Sequence, residues 1–265
     1  SRPTPAQWKA LAIVALGVIV GFPVCSAWAM KSVDASHGAV VLGMLPLATA
    51  VAAFLRAGER PTARFWFSSI AGSLTVVIFS LSSSKGQVSH GDLVLLLGVM
   101  LAALGYAEGG RLAREMGGWQ VICWALVLST PLLIGPVLYL ALQHEGAVSA
   151  KTWWAFGYVA LFSQFLGFFA WYAGLAMGGI ARVSQIQLLQ IFFTIAFSEL
   201  FFGEHVEPIT WLFACGVIAT VMLGRKTAVR PAQPGTLPAG VQLKPWASAG
   251  RQRADRAARA TARAA

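Results

Sequence analysis

Apolar stretches of about twenty residues alternate with short polar breaks from residue 8 to residue 224. A helix needs about 20 mainly apolar residues to cross the hydrocarbon core of a bilayer. Eight stretches approach or meet that length: 8–29, 37–56, 64–83, 91–111, 119–142, 152–174, 182–202 and 207–224. Breaks such as Arg56-Ala57-Gly58-Glu59-Arg60-Pro61 and Ser82-Ser83-Ser84-Lys85-Gly86 allow only a short return, so consecutive spans run antiparallel. The pattern predicts an all-α, polytopic membrane helix bundle. The first stretch ends in Ala27-Trp28-Ala29, which mimics a signal-peptidase site. Its length, the Gly17, Gly21 and Pro23 inside it and the seven spans that follow make it a span and not a cleaved leader.

Composition agrees and narrows the class. Hydrophobic residues make up 57% of the chain and charged residues 11%, less than half the roughly 25% usual in soluble proteins. With a mean hydropathy of +0.68, this excludes a disordered chain, a disulfide scaffold and an ordinary soluble enzyme. Cys25, Cys123 and Cys215 all lie in apolar runs and read as free thiols packed as small hydrophobes. The net charge of +10 is concentrated at one end. Residues 1–224 hold 11 Lys and Arg against 9 Asp and Glu, whereas residues 225–265 hold 9 against 1. The high charge therefore says nothing about nucleic acid for the body, and residues 227–265 read as a basic, Ala/Arg-rich solvated tail with anionic lipid as its nearest partner. The remaining cations orient the bundle. Eleven (Arg2, Lys9, Arg56, Arg60, Arg64, Arg111, Arg114, Arg182, Arg225, Lys226 and Arg230) fall on one side, and three (Lys31, Lys85 and Lys151) on the other. Both termini are expected in the cytoplasm, in the plasma (inner) membrane.

The chain repeats itself. At an offset of 145 residues Gly58-Glu59 falls on Gly203-Glu204, each closing a span, and Trp66 falls on Trp211, each opening the next. With a small gap, Ala27-Trp28 matches Ala170-Trp171. Spans one to three thus recur as six to eight, and spans four and five have no partner. The simplest account is two five-helix repeats, residues 1–86 and 87–226, the first lacking its opening pair of helices, roughly 55–60 residues upstream. Five is odd, so the copies enter the membrane from opposite faces, the inverted arrangement in which secondary transporters place their solute site near the midplane.

These residues carry a resemblance. Leu45-Pro46-Leu47 within a span, Gly58-Glu59-Arg60 at its end, and Phe202-Gly203-Glu204 before the last span resemble the EamA-type domain of the drug/metabolite transporter superfamily. The likeness runs from about residue 8 to residue 226. It implies ten helices in two inverted copies, both termini cytoplasmic, and export or exchange of small metabolites. It names no solute.

Polar residues within spans are candidates for function, because each must be satisfied away from water. In the seventh span Ser184, Gln187, Thr194 and Ser198 share a face at steps of three and four, with Gln190 beside it. Such a stripe suits either a solute cavity or hydrogen bonding between packed helices, and Gln187 and Gln190 are larger than packing needs. In the sixth span Gln164, Gly167, Trp171 and Gly174 share a face, and the repeat sets Gly21, Val24 and Trp28 opposite them. Trp28 and Trp171 would then stack on an apolar part of a solute, or else sit in an interfacial belt. The expected lining is Trp28, Gln164, Trp171, Gln187 and Gln190. Glu108, in Gly105-Tyr106-Ala107-Glu108-Gly109-Gly110-Arg111, is a candidate proton-coupling group, with a helix-end ion pair to Arg111 as the alternative. Gly105 with Gly109, and Gly17 with Gly21, read as close helix packing. Glu59 and Glu204 read as organisers of turns.

A carrier for a small organic solute, working by alternating access, accounts for these features best. A membrane-embedded enzyme would call for clustered catalytic groups, yet His37, His90, His144 and His205 lie at span ends or loops and no HExxH or GxSxG signature occurs. A structural subunit or incomplete carrier is the third reading. No cofactor, metal or specific nucleic-acid signature is present. A solute, the bilayer and a second copy in a homodimer are the candidate partners.

Overall fold

In the computed structural model the described residues are 2–83, 89–143, 147–203, 206–225 and 229–230. Lys85, His144, Glu204, His205, Lys226 and most of the basic tail fall outside them. All eight apolar stretches lie on helix. Four helices have the length and apolarity to cross a bilayer unaided: α1 (Pro5–Ala29), α5 (His90–Met116), α6 (Gly118–Gln143) and α7 (Ala150–Gly178). The third stretch is α4 (Ala63–Ser83), and the last is α10 (Pro208–Arg225).

Local sequence explains where the long helices begin. Thr4 and Gln7 form a reciprocal capping box ahead of α1, with Pro5 at its first position. Ser89 and Asp92 do the same for α5, and Ser149 caps α7. In α5, Leu93, Leu97, Met100 and Leu104 point outward at steps of four, three and four. Leu95, Val99, Ala102 and Tyr106 are buried. Outward apolar faces of this kind are matched to lipid.

The centre of the bundle is α5, which packs against α1, α6 and α7. Glycine makes these approaches possible. A Cβ on Gly105 would come within 2.5 Å of Val18 Cγ2, and one on Gly110 within 2.7 Å of Ile180. The Gly17 face of α1 rests on the α5 backbone at Leu101 and Gly105, the close contact that small residues allow between membrane helices.

The second and seventh stretches are not single helices. The second is α2 (Ala35–Leu42) and α3 (Leu45–Ala57), separated at Gly43-Met44. Pro46 has no N–H to return to the Leu42 carbonyl, which weakens the helix here, and α3 starts afresh with Pro46 in its first turn. The seventh is α8 (Ile180–Ser184), a 3-10 turn Gln185–Gln187, and α9 (Leu188–Phe197) with a π segment Ser198–Phe202. The 145-residue offset carries the first interruption to positions 188–189, directly after the second. Other local features recur at or near it: π turns at Ala15–Gly21 and Val159–Leu166, and Gly58 and Gly203 both at φ 65°. The two halves also pack crosswise, α3 on α8 and α2 on α9, while α4 packs on α10, its equivalent at the offset. A two-residue pairing of Arg60–Pro61 with Val229–Arg230 is the one sheet among the described residues.

Candidate functional site

The two interruptions meet a cavity of about 200 Å³. One wall is apolar and comes from α1 and the break in the second stretch: Val18, Phe22, Leu42 and Leu45. The other is polar and comes from α7 and the seventh stretch: Ser163, Gln164, Gln187, Gln190 and Thr194. Tyr106 of α5 and Phe168 of α7 complete it, their rings 6.3 Å apart. No charged side chain is among these lining residues. Gln187 is the last residue of the 3-10 turn and lines the cavity. Its Oε1 is buried with no hydrogen-bond partner among the described residues. A buried amide oxygen left in this state favours a ligand that brings a donor.

The residues expected at the site divide. Gln164, Gln187 and Gln190 lie together on the polar wall. Trp171 stands just behind it, edge-on to Tyr106 at 5.5 Å, its indole Nε1 buried and unpartnered. Trp28 is elsewhere. It is 59% exposed, with the Lys31 ammonium 5.2 Å above its ring. The reason is the rotation of α1. Phe22 and Cys25 lie against Gly98 of α5, and with Val18, at steps of four and three, they form the inner stripe. Val24 and Trp28 fall on the next stripe and turn outward. The equivalence of Trp28 and Trp171 in the repeat therefore does not bring them face to face. Ser184 is buried and turned to its own helix, its hydroxyl donating to the Ala181 carbonyl.

Glu108 is also outside the cavity. It is 1% exposed, and its two oxygens are taken by two guanidinium groups: Arg56 Nε donates to Oε1 at 2.5 Å and Arg111 Nε to Oε2 at 3.1 Å. Arg111 continues to Glu115 at 2.9 Å, and Gln7 reaches the same carboxylate at 3.0 Å. This is the ion-pair reading, widened by Arg56 from another helix. At the opposite end of the bundle His37 pairs with Asp92 at 2.9 Å.

Sequence reasoning underrated Glu59. Gly58 ends α3 in the left-handed region and the Glu59 N–H bonds back to the Ala53 carbonyl at 3.3 Å, a turn of the Schellman type. It drives the side chain inward, where Glu59 is 1% exposed. Its carboxylate accepts from the Ile180 and Ala181 backbone N–H groups at 2.8 and 2.9 Å and pairs with Arg114. Gly179, at φ 87°, makes the turn that offers those two N–H groups. The repeated Gly-Glu was the available signal. Its burial was not legible. Among the described residues no group of His, Cys, Asp or Glu is suited to a metal, and the three cysteines are free.

Comparison with known proteins adds to this geometry. The model of the EamA-like transporter family matches residues 1–81 and 89–224. The chain is 44% identical over 221 residues to the uncharacterized transporter YdeK of Bacillus subtilis (strain 168), covering 83% of this chain and 76% of that protein. It is 24% identical over 184 residues to the uncharacterized transporter YyaM of the same organism, covering 66% of this chain and 60% of that one.

Proposed function

The chain belongs to the EamA-like transporter family and is a multi-pass membrane transporter, and from that premise we propose that it carries a small organic metabolite by alternating access, as an exporter or exchanger. The observation that carries this reading is the meeting of two interrupted stretches, related by the 145-residue offset, at one cavity. Inverted repeats whose broken helices converge near the midplane are how secondary carriers build a solute site. The two separate stretches matched by the family model, 1–81 and 89–224, support the same division into repeats. Gln164, Gln187 and Gln190 hold polar groups of the solute, Tyr106, Phe168 and the apolar wall hold its hydrocarbon part, and Trp171 fixes Tyr106 from behind. Rocking of one repeat against the other would expose this cavity to each side in turn. The basic asymmetry of the loops supports a plasma-membrane protein with both termini in the cytoplasm.

The test is Gln187→Leu in cells expressing the full chain, with mass-spectrometric profiling of the medium. A small set of metabolites should rise outside cells carrying the unaltered protein and fall back with the variant, at equal abundance in the membrane. Identical media from expressing and non-expressing cells would sink the carrier reading. Activity that falls only in proportion to abundance would assign Gln187 to packing instead.

A further inference from the structure

We infer that Glu59 is a positioning residue for the solute cavity: from the first half of the chain it pins the start of the polar cavity wall, which belongs to the second half. The inference rests on the carrier reading above for the role of that wall. The polar wall is an interrupted helix. The first turn of α8 contributes two N–H groups with no intrahelical partner, and the Glu59 carboxylate takes both, those of Ile180 and Ala181. Negative charge at a helix start is favourable through the helix dipole as well. Gln187 closes the 3-10 turn that follows α8 directly, seven residues on. The position of α8 therefore sets where that turn begins and where Gln187 stands in the cavity.

Two further facts make Glu59 more than a cap. It belongs to the turn after α3, and α3 begins at Leu45 on the cavity's apolar wall. One carboxylate thus holds an end of each of the two interrupted stretches that contribute to the site. Arg114, on α5, pairs with the same group, so three helices meet at it. The carboxylate is nearly inaccessible to solvent, so solvent cannot replace these bonds when they are lost. The Arg56–Glu108 pair links the same two halves nearby, but Arg56 is 47% exposed and its loss is more easily tolerated.

The test reads the cavity itself. In membranes holding the full chain, with Cys25, Cys123 and Cys215 replaced by Ala, a reporter Gln190→Cys is alkylated with N-ethylmaleimide and its rate measured. A second reporter, Leu142→Cys at an exposed position of α6, serves as control. Glu59→Gln should change the rate at position 190 at least fivefold and leave position 142 within twofold. Arg114→Gln, which leaves the cap on Ile180 and Ala181 in place, should change position 190 less than twofold, and Glu59→Asp should fall between. Equal effects at both reporters would mean general loosening and overturn the inference. So would an unchanged rate at 190. If Glu59→Gln does not accumulate, Glu59→Asp and Arg114→Gln provide the same contrast. Altered reactivity at 190 with no exported solute would keep the positioning role and sink the carrier reading; unaltered reactivity sinks this inference whatever is exported.

Discussion

Replacing Gly109 with Ala tests whether α5 and α7 are packed as tightly as their glycine contact implies. The added Cβ would lie 2.5 Å from Tyr172 Cζ and 2.7 Å from its hydroxyl oxygen, against the 3.5–4.0 Å of ordinary carbon contact. The ring cannot swing clear. Tyr172 has no exposed surface, is tilted against Phe168 at 5.7 Å, and donates from its hydroxyl to the Gly105 carbonyl at 3.4 Å. Either the ring or the whole of α7 must retreat by about 1 Å to restore contact. Overpacking of this kind costs about 1–3 kcal/mol. Ala also gains about 0.5–1 kcal/mol over Gly in a helix interior, which masks part of the cost, so a matched control is needed. Gly157 supplies it, since a Cβ there meets nothing within 4 Å. Gly157→Ala should stabilise slightly, and the difference between the two variants isolates the overpacking at about 1–3 kcal/mol. At about 2–4 °C per kcal/mol for a chain of this size, the melting temperatures of the purified variants in detergent should differ by several degrees. Gly109→Ala with Tyr172→Leu should recover much of the loss. If Gly109→Ala and Gly157→Ala melt together, the packing argument is wrong.

Three shorter predictions follow from the same reasoning. Glu108→Ala should cost about 1–3 kcal/mol, because it empties a buried position and removes two hydrogen bonds while Arg111 keeps Glu115, whereas Arg56→Ala should cost about 1 kcal/mol or less, since Arg56 is half in solvent; denaturant titration in mixed micelles reads both, and lost transport at full stability in the Glu108 variant would revive a proton-coupling role. Single cysteines at positions 85 and 148 should react with a membrane-impermeant thiol reagent added outside intact cells, and silence at both would reverse the topology. Deleting residues 232–265 should leave membrane abundance unchanged within about twofold, as the segment contributes no span; a protein that no longer reaches the membrane refutes this.

Part of the candidate cavity lining was legible because it depends on periodicity and type. Gln164, Gln187 and Gln190 stood out as amides in lipid-spanning stretches, and the 145-residue offset pointed to a place between two halves. Trp28 shows the limit. Repeat equivalence says that two residues occupy corresponding positions, but not that a helix is rotated to bring them together, and the rotation of α1 is set by glycine contacts with α5. Glu108 shows another limit: a local partner at Arg111 was visible, while Arg56 came from a helix about fifty residues away in sequence.

The sequence alone determined that this chain lies in a membrane, how many apolar stretches it has and which side carries the positive charge. These follow from composition and length, because the bilayer acts on each span separately. The break of the second stretch was not read from Pro46, which stood inside a single span. Only the tertiary structure decided that the breaks at Gly43-Met44 and Gln185–Gln187 meet at one cavity, and that Glu59 is buried against the start of α8. Those outcomes depend on how helices approach one another, which small residues such as Gly105 and Gly109 permit but do not direct. The direction comes from the summed fit of all the faces, a quantity that no single stretch of sequence contains.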